Sequence, residues 1–135
     1  MLSIRIPYTK KQTIFGEVCN PQIIIQVLTQ YGYQRFIFLI DSGADCTIVP
    51  RAMARLVGIN LGSQPDTLIR GAKATRRGLR AYKGELKVRF AGEEFSLRCL
   101  ITESDRTPFL LGRLDFFSKF NVTFAKDEVI LEKIQ

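Results

Sequence analysis

Apolar residues along this chain recur mainly at the two-residue period that β-strands show, in short segments separated by turn sequences. Glycine-containing turns at Tyr31-Gly32 and Ala91-Gly92-Glu93, and a polar turn at Lys126-Asp127, favour hairpins between neighbouring segments. The pattern predicts a mostly β protein, with strands over residues 2–8, 22–29, 33–40, 46–49, 86–90, 95–101, 109–111, 122–124 and 129–134.

Two segments show helical spacing instead. The first is predicted to begin at Pro50 and to end at Gly58, because its apolar residues fall at positions i, i+3 and i+4: Met53, Leu56 and Val57. The second is predicted over 114–120, where three phenylalanines share one side. With 135 residues and no linker, repeat or low-complexity tract, residues 1–135 are expected to form a single domain.

Composition removes several kinds of chemistry. The chain contains no histidine, which excludes Ser-His-Asp and Cys-His catalysis and argues against a zinc site. Hydrolysis would need carboxylates, a lysine or a bound metal. The three cysteines, Cys19, Cys46 and Cys99, form no disulfide or CxxC pattern and are expected to be reduced core thiols in the cytoplasm. The sequence has no apolar run near the ~20 residues of a membrane span, and no secretory signal is expected.

Positive charge is concentrated in one segment. The net charge is +7, and residues 70–83 hold six Lys or Arg and no acid, which leaves +1 for the rest. Such a segment is interpreted as a solvated loop, as a site for acidic substrate side chains or an acidic regulatory segment, or as a nucleic-acid contact. Nucleic acid is the weakest interpretation, because Tyr82 is the only aromatic residue in the segment and offers no stacking platform.

The candidate chemistry lies in Asp41-Ser42-Gly43, which directly follows the apolar run of the strand at 33–40. Read as a plain turn, the tripeptide is ordinary, with the aspartate as a cap. Read as a site, Asp41 could share a proton with a second aspartate, because adjacent carboxylates cannot both ionise cheaply. Such a pair can activate water as general base and protonate a leaving nitrogen as general acid. The chain has no other Asp-Ser/Thr-Gly, so the second carboxylate must come from another copy in a two-fold dimer.

Residues 38–50 resemble the active-site strand and Asp-Ser/Thr-Gly-Ala turn of retropepsin-like aspartic proteases. A second segment, Leu110-Leu111-Gly112-Arg113-Leu114-Asp115-Phe116-Phe117, resembles the apolar-apolar-Gly strand and short helix of that family, and 70 positions separate Gly112 from Ser42. The resemblance covers roughly 22–134. It implies an all-β, closed-barrel acid protease fold with one or two short helices, a homodimer, a polypeptide substrate, and no metal or organic cofactor.

The resemblance also implies roles for the loop after the strand. Asp41 would be catalytic, and Ser42 would bond across the dimer axis to the partner loop. Gly43 would accept contact from the substrate backbone, and Ala44 would complete the active-site loop. A catalytically silent dimerisation or peptide-binding module remains an alternative, as does an RNA-binding β-domain with strongly salt-dependent affinity.

The second motif would support that loop from below. Gly112 would let the Leu110-Leu111 strand cross beneath the loop without a side chain in the way. Asp45 and Arg113 match an Asp–Arg pair of retroviral members, which predicts a buried or half-buried ion pair beside the substrate cleft; two solvated charges are the alternative.

Two further features follow from the resemblance. The family's mobile flap would fall on Ile69, Arg70, Gly71, Ala72 and Lys73, although familiar flaps carry apolar tips and this one is basic. The chain ends, 2–8 and 129–134, would be edge strands that could interleave with those of a second subunit.

Overall fold

The computed structural model describes residues 3–69 and 78–135 of the chain. The described residues contain one α-helix, α1 (Ala52–Val57), and the following strands: β1 (Ser3–Pro7), β2 (Thr9–Thr13), β3 (Gly16–Asn20), β4 (Gln22–Thr29), β5 (Gly32–Ile40), β6 (Thr47–Val49), β7 (Thr67–Ile69), β8 (Leu79–Phe90), β9 (Glu93–Thr102), β10 (Leu110–Leu111), β11 (Phe120–Phe124) and β12 (Glu128–Lys133). Within the described residues, no helix is both long enough and apolar enough to cross a membrane.

Six strands close into a barrel in the order β4-β5-β10-β6-β9-β8, and β8 returns to β4 through the pairs Gln26–Arg89 and Val27–Val88. Strand β7 pairs with the first residues of β8, from Ile69–Leu79 to Thr67–Ala81. Closure leaves no unpaired sheet edge between these six strands. Alternation along the strands fills the interior: on β4, Ile23 and Ile25 are buried, whereas Ile24 between them is exposed. The all-β closed barrel predicted from the sequence is confirmed.

The first predicted helix is present, and the second is not. Helix α1 ends at Gly58, whose φ of 78° is the left-handed conformation expected of a glycine cap. Its Ala52 amide donates to Asp105 Oδ1 at 2.7 Å. The prediction of a helix over 114–120 is wrong, because that segment forms successive turns. Asp115 there has a φ of 68°, which no right-handed helix accommodates.

The three phenylalanines of that segment all pack in or against the hydrophobic core. Phe116 and Phe120 are fully buried, and their rings stack with centroids 5.0 Å apart. Phe90 of β8 meets Phe120 edge-on, with centroids 5.5 Å apart. This aromatic cluster anchors the turns to the barrel core, so the segment after Gly112 has a fixed position although it forms no regular helix.

Strands β2 and β3 form a hairpin that the apolar pattern did not predict. Among the described residues they pair only with each other, from Thr9–Asn20 at the base to Thr13–Gly16 at the tip. The tip residues Ile14 and Phe15 are each 93% exposed. The hairpin buries no face against the barrel, so its sequence carries no two-residue apolar alternation, which is the signal on which strand prediction depends.

The terminal strands pair within one chain. Strand β12 lies between β1 and β11, and β1 runs antiparallel to it from Ser3–Glu132 to Pro7–Glu128. The Tyr8 hydroxyl then donates to the Ala125 carbonyl at 2.7 Å, which fixes the end of β1 against the same unit. Both strands predicted at the chain ends are therefore present, and each has a partner within the protomer. The prediction of an edge strand is wrong for 129–134, because β12 is the central strand of this sheet.

Candidate active site

Asp41 lies directly after β5, where the barrel strand gives way to the Asp41 loop (residues 41–46). Its amide donates to the Leu111 carbonyl at 2.9 Å, so the start of the loop is held by the neighbouring strand β10. Its own carboxylate accepts from the Gly43 amide at 2.9 Å, and its carbonyl accepts from the Ala44 amide at 3.1 Å. The loop thus orients the half-buried Asp41 carboxylate through its own backbone.

The remaining members of the predicted loop, Ser42, Gly43 and Ala44, take their places beside Asp41. Ser42 and Gly43 are exposed, whereas Ala44 is partly buried. A side chain at Gly43 would place its Cβ 3.3 Å from Asp41 Oδ1, a tight contact with the very atom that the Gly43 amide holds. Glycine at this position therefore leaves room for the carboxylate to sit against the backbone.

Strand β10 passes beneath the Asp41 loop. Leu110 and Leu111 run parallel to Leu39 and Ile40 of β5, and Leu110 also pairs with Ile48 of β6. The strand therefore fills the gap between the two strands that flank the loop.

Gly112 ends this crossing at a point of very close backbone approach. A Cβ at Gly112 would lie 2.2 Å from the Cys46 carbonyl oxygen and 2.3 Å from its carbonyl carbon. The Gly112 amide donates to the buried Thr47 hydroxyl at 3.3 Å. Only glycine lets the two segments cross at this distance.

The residues after Gly112 hold the far half of the loop. The Arg113 amide donates to the Ala44 carbonyl at 3.0 Å, and the Leu114 amide donates to the Asp45 carbonyl at 2.9 Å. The Arg113 guanidinium adds bonds to the Ser42 carbonyl, at 3.1 Å, and to Asp45 Oδ1, at 2.5 Å. Residues 110–115, here called the supporting segment, therefore carry the loop mainly through backbone hydrogen bonds.

The Asp45–Arg113 ion pair forms, but it is not buried in the protomer. The side chain of Asp45 is 91% exposed and that of Arg113 is 53% exposed. The predicted burial is not seen in the protomer, because the loop projects from the end of the barrel and none of the described residues covers the pair. An ion pair at such exposure contributes about 0–1 kcal/mol to folding. Its effect is local, since it joins the side of the Asp41 loop to the supporting segment.

The sequence did not reveal a second and more extensive contact of the supporting segment. Asp115 accepts three hydrogen bonds from Arg98 of β9: from its amide at 2.9 Å, from Nε at 3.0 Å and from Nη2 at 2.8 Å. These bonds, above all those from the guanidinium, lower the pKa of Asp115 below its ordinary 3.8. The two residues are 17 positions apart in the chain, and no motif or spacing links them.

The lowered pKa of Asp115 has a definite consequence for stability. A carboxyl with a depressed pKa in the folded state contributes stability above its unfolded pKa and loses it as the pH falls through its folded pKa. Asp115→Asn is therefore expected to lower the free energy of unfolding by about 1 kcal/mol at pH 7. Thermal unfolding at pH 7 and near pH 3 checks this, because the difference from wild type should shrink at low pH. An equal difference at both pH values would contradict the assignment.

The cysteines beside the loop are poor nucleophiles. Burial raises the pKa of Cys99 to about 12, with smaller contributions from neighbouring Cys46 and Glu85. Burial, followed by the charge of Asp45, also raises the pKa of Cys46. Both thiols are protonated at neutral pH and cannot supply a thiolate. Cys99 is a core thiol as predicted and Cys46 is partly buried, but the prediction is wrong for Cys19, which lies exposed on the β2–β3 hairpin.

An apolar row lies next to the Asp41 loop. Leu39, Leu110 and Ile48 are register neighbours on three adjacent strands, and all three are partly exposed, whereas the residues that follow Leu39 and Leu110 are buried. Because side chains alternate along a strand, the row faces away from the core, at the end of the barrel where Asp41 emerges. Sequence analysis assigned Leu110 only a supporting role and did not single out Leu39 or Ile48.

The predicted flap falls mostly outside the described residues. Ile69 is the last residue of β7 and pairs with Leu79 of β8 in an antiparallel register. Arg70, Gly71, Ala72 and Lys73 lie outside the described residues. Across residues 3–69 and 78–135, no group of three or more His, Cys, Asp or Glu side chains is placed to hold a metal ion.

The closed barrel, the close backbone crossing at Gly112 and the Asp41 loop together define the retropepsin-like class of aspartic protease folds. The model of the family described as "gag-polyprotein putative aspartyl protease" matches residues 29–119, from the end of β4 through the supporting segment. The chain belongs to this family of retropepsin-like proteins. No curated protein is significantly similar to the chain in sequence.

Solved structures of low sequence identity share the fold. A retropepsin-like aspartic protease from Rickettsia conorii superposes with a TM-score of 0.63 at 21% identity, covering 96% of this chain and 89% of that one. EIAV protease, complexed with the inhibitor HBY-793, gives a TM-score of 0.54 at 19% identity over 70% of this chain and 82% of that one. The retroviral protease-like domain of Ddi1 from Leishmania major gives 0.50 at 13% identity, over 83% and 94%.

Proposed function

We propose that the protein is an aspartic endopeptidase that acts as a homodimer, with one Asp41 contributed by each subunit. The observation that carries the proposal is the Asp41 loop itself. The Gly43 amide orients its half-buried carboxylate. The loop backbone donates a hydrogen bond to the Leu111 carbonyl and accepts hydrogen bonds from the Arg113 and Leu114 amides. A turn that served only as a connection would need no such support from a crossing strand.

The chemistry requires two carboxylates around one water. The ionised Asp41 of the pair takes a proton from the water as its oxygen attacks the carbonyl carbon of the scissile amide. The protonated Asp41 then transfers its proton to the amide nitrogen, and the C–N bond breaks to give a carboxylic acid and an amine. This transfer leaves one shared proton on the pair, which is its starting state. No metal ion or organic cofactor is required in this scheme.

The apolar row supports a preference in the substrate. Leu39, Leu110 and Ile48 would present an apolar wall close to Asp41, since Leu39 lies two positions before it in the chain. A substrate whose side chains next to the cleaved bond are aliphatic or aromatic could bury them there, at about 25 cal/mol for each Å² of apolar surface removed from water. We therefore propose polypeptides with apolar residues at the cleavage site as the substrate class.

The other candidate functions lack an observation that favours them. A silent binding module would need no oriented carboxylate, and an RNA-binding role would depend on the basic segment 70–83, of which 70–77 lie outside the described residues.

Dilution tests the proposal, because a site built from two chains disappears when the dimer dissociates. Digestion of a peptide library is expected to show cleavage at micromolar protein, and the specific activity should then fall as the protein is diluted. Sedimentation velocity across the same concentrations should show the dimer disappearing in parallel. A tandem fusion of two copies through a Gly/Ser linker is the control, and its specific activity should stay constant. Undiminished specific activity in a sample that sediments as monomer would contradict the proposal.

A further inference from the structure

We infer that Asp115, held by Arg98 of β9, is a positioning residue for the Asp41 loop. Its carboxylate and its left-handed backbone together fix the two preceding backbone amides, which donate hydrogen bonds to the carbonyls of Ala44 and Asp45. The inference rests on the proposed function for its catalytic consequence. Its structural part, the coupling of residue 115 to the loop, stands independently of whether the protein cleaves peptides.

Asp115 occupies an unusual backbone position. Its φ of 68° is costly for most residues, and only asparagine, aspartate and glycine adopt it readily. Three hydrogen bonds from Arg98, one from its amide and two from its guanidinium, compensate for that cost. The bidentate contact with the guanidinium also fixes the direction of the carboxylate, because the fork of Arg matches the two carboxylate oxygens. The conformation of residue 115 is therefore determined from strand β9, outside the supporting segment.

The link from Asp115 to the loop is short and consists of backbone bonds. The residue just before Asp115 is Leu114, whose amide donates to the Asp45 carbonyl at 2.9 Å, and Arg113 donates to the Ala44 carbonyl at 3.0 Å. On the other side, the buried Phe116 anchors the chain in the core. A change of φ at 115 must therefore be absorbed between a fixed phenylalanine and these two amides. The Asp41 loop is what they hold.

The exposure of the Arg98–Asp115 pair distinguishes a positioning role from a general contribution to folding stability. The Arg98 side chain is 62% exposed and that of Asp115 is 19% exposed, so the pair contributes only modestly to global folding. A catalytic group, in contrast, loses rate steeply when it is misplaced, and an error near 1 Å can cost about 10²-fold. The pair should therefore affect catalysis more strongly than stability.

A series of substitutions separates the carboxylate from the backbone. Asp115→Ala removes both the hydrogen bonds and the tolerance of a positive φ. Asp115→Gly keeps that tolerance but removes the carboxylate, and Asp115→Asn keeps the tolerance and one neutral acceptor. Arg98→Ala removes the guanidinium that faces Asp115. Glu94→Ala is the matched control, because it breaks another Arg–carboxylate pair on the same strand β9, to Arg89, that has no contact with the supporting segment.

Hydrogen exchange at the Arg113 and Leu114 amides reports the coupling without reference to activity. We expect exchange of these two amides to accelerate about 10-fold or more in Asp115→Ala, and less in Asp115→Gly and Asp115→Asn, because local opening becomes easier. Glu94→Ala should leave both amides at the wild-type rate. Unchanged protection in Asp115→Ala and Arg98→Ala would overturn the inference.

Steady-state kinetics tests the catalytic part. In Asp115→Ala, kcat is expected to fall about 10- to 100-fold while KM changes by less than about 3-fold, with partial recovery in Asp115→Asn. A wild-type kcat accompanied by a lowered melting temperature would show a merely structural role and would also overturn the inference. Absence of peptide cleavage by the wild-type protein would refute the proposed function instead, and the exchange measurement would still decide whether Asp115 controls the loop.

Discussion

Asp41→Asn is expected to reduce peptide cleavage by about 10²- to 10⁴-fold, because an amide can neither take a proton from water nor return one to the leaving nitrogen. The substitution keeps the size of the side chain and an oxygen that can accept from the Gly43 amide, which is 2.9 Å from Asp41 Oδ1 in the wild type. Folding should therefore change little. Initial rates on a peptide substrate, together with thermal unfolding, measure the two effects separately.

Mixed dimers sharpen this experiment. Suppose that each active site needs one carboxylate from each subunit. Refolding wild type with an equal amount of Asp41→Asn protein should then leave roughly a quarter of the activity that the same total amount of wild-type protein shows, because only a quarter of randomly paired dimers carry two wild-type subunits. Two independent sites would leave roughly half. Asp127→Asn, the same chemical change in the exposed turn before β12, is the control and should retain full activity. Full activity of Asp41→Asn would rule out the proposed chemistry.

Gly112→Ala is expected to be the most destabilising single change in the site. The added methyl would lie 2.2 Å from the Cys46 carbonyl oxygen, and backbone cannot move aside as the end of a flexible side chain can. We expect the free energy of unfolding to fall by about 3 kcal/mol or more, with loss of the loop geometry and of cleavage. Urea unfolding of the purified variant measures this.

Gly62→Ala is the matched control for that experiment. Its added methyl would meet nothing nearer than the Gln64 carbonyl oxygen at 3.7 Å, which is an ordinary contact. A wild-type urea midpoint is expected there. If Gly112→Ala also unfolded at the wild-type midpoint, the close crossing of the supporting segment and the Asp41 loop could not be correct.

Many strands of the barrel were predictable from the sequence because they bury one face, whereas the closed barrel was implied by the family resemblance. Along β8 the buried Leu86 and Val88 alternate with the exposed Lys87 and Arg89, and this sequence pattern marks a half-buried strand. The order in which distant strands meet is different, since Leu110 reaches both β5 and β6 through pairings that no local pattern encodes. That part of the fold came from the resemblance of two motifs to a known family.

What the sequence could not predict depends on contacts between distant residues or on the lack of any contact. The turn at 114–120 carries helical apolar spacing, yet the hydrogen bonds between Asp115 and Arg98 favour a left-handed residue there. The β2–β3 hairpin has no buried face and therefore no pattern. Exposure of the Asp45–Arg113 pair depends on what covers the loop end of the barrel, which composition does not encode.

The pairing of β1 with β12 of the same chain bears on how two protomers would meet. Each protomer satisfies the backbone groups between its terminal strands before it encounters another copy. Association would then join two finished folds rather than complete an unfinished one. In the proposed homodimer, a subunit could then exchange without either of its terminal strands leaving its partner in the same chain.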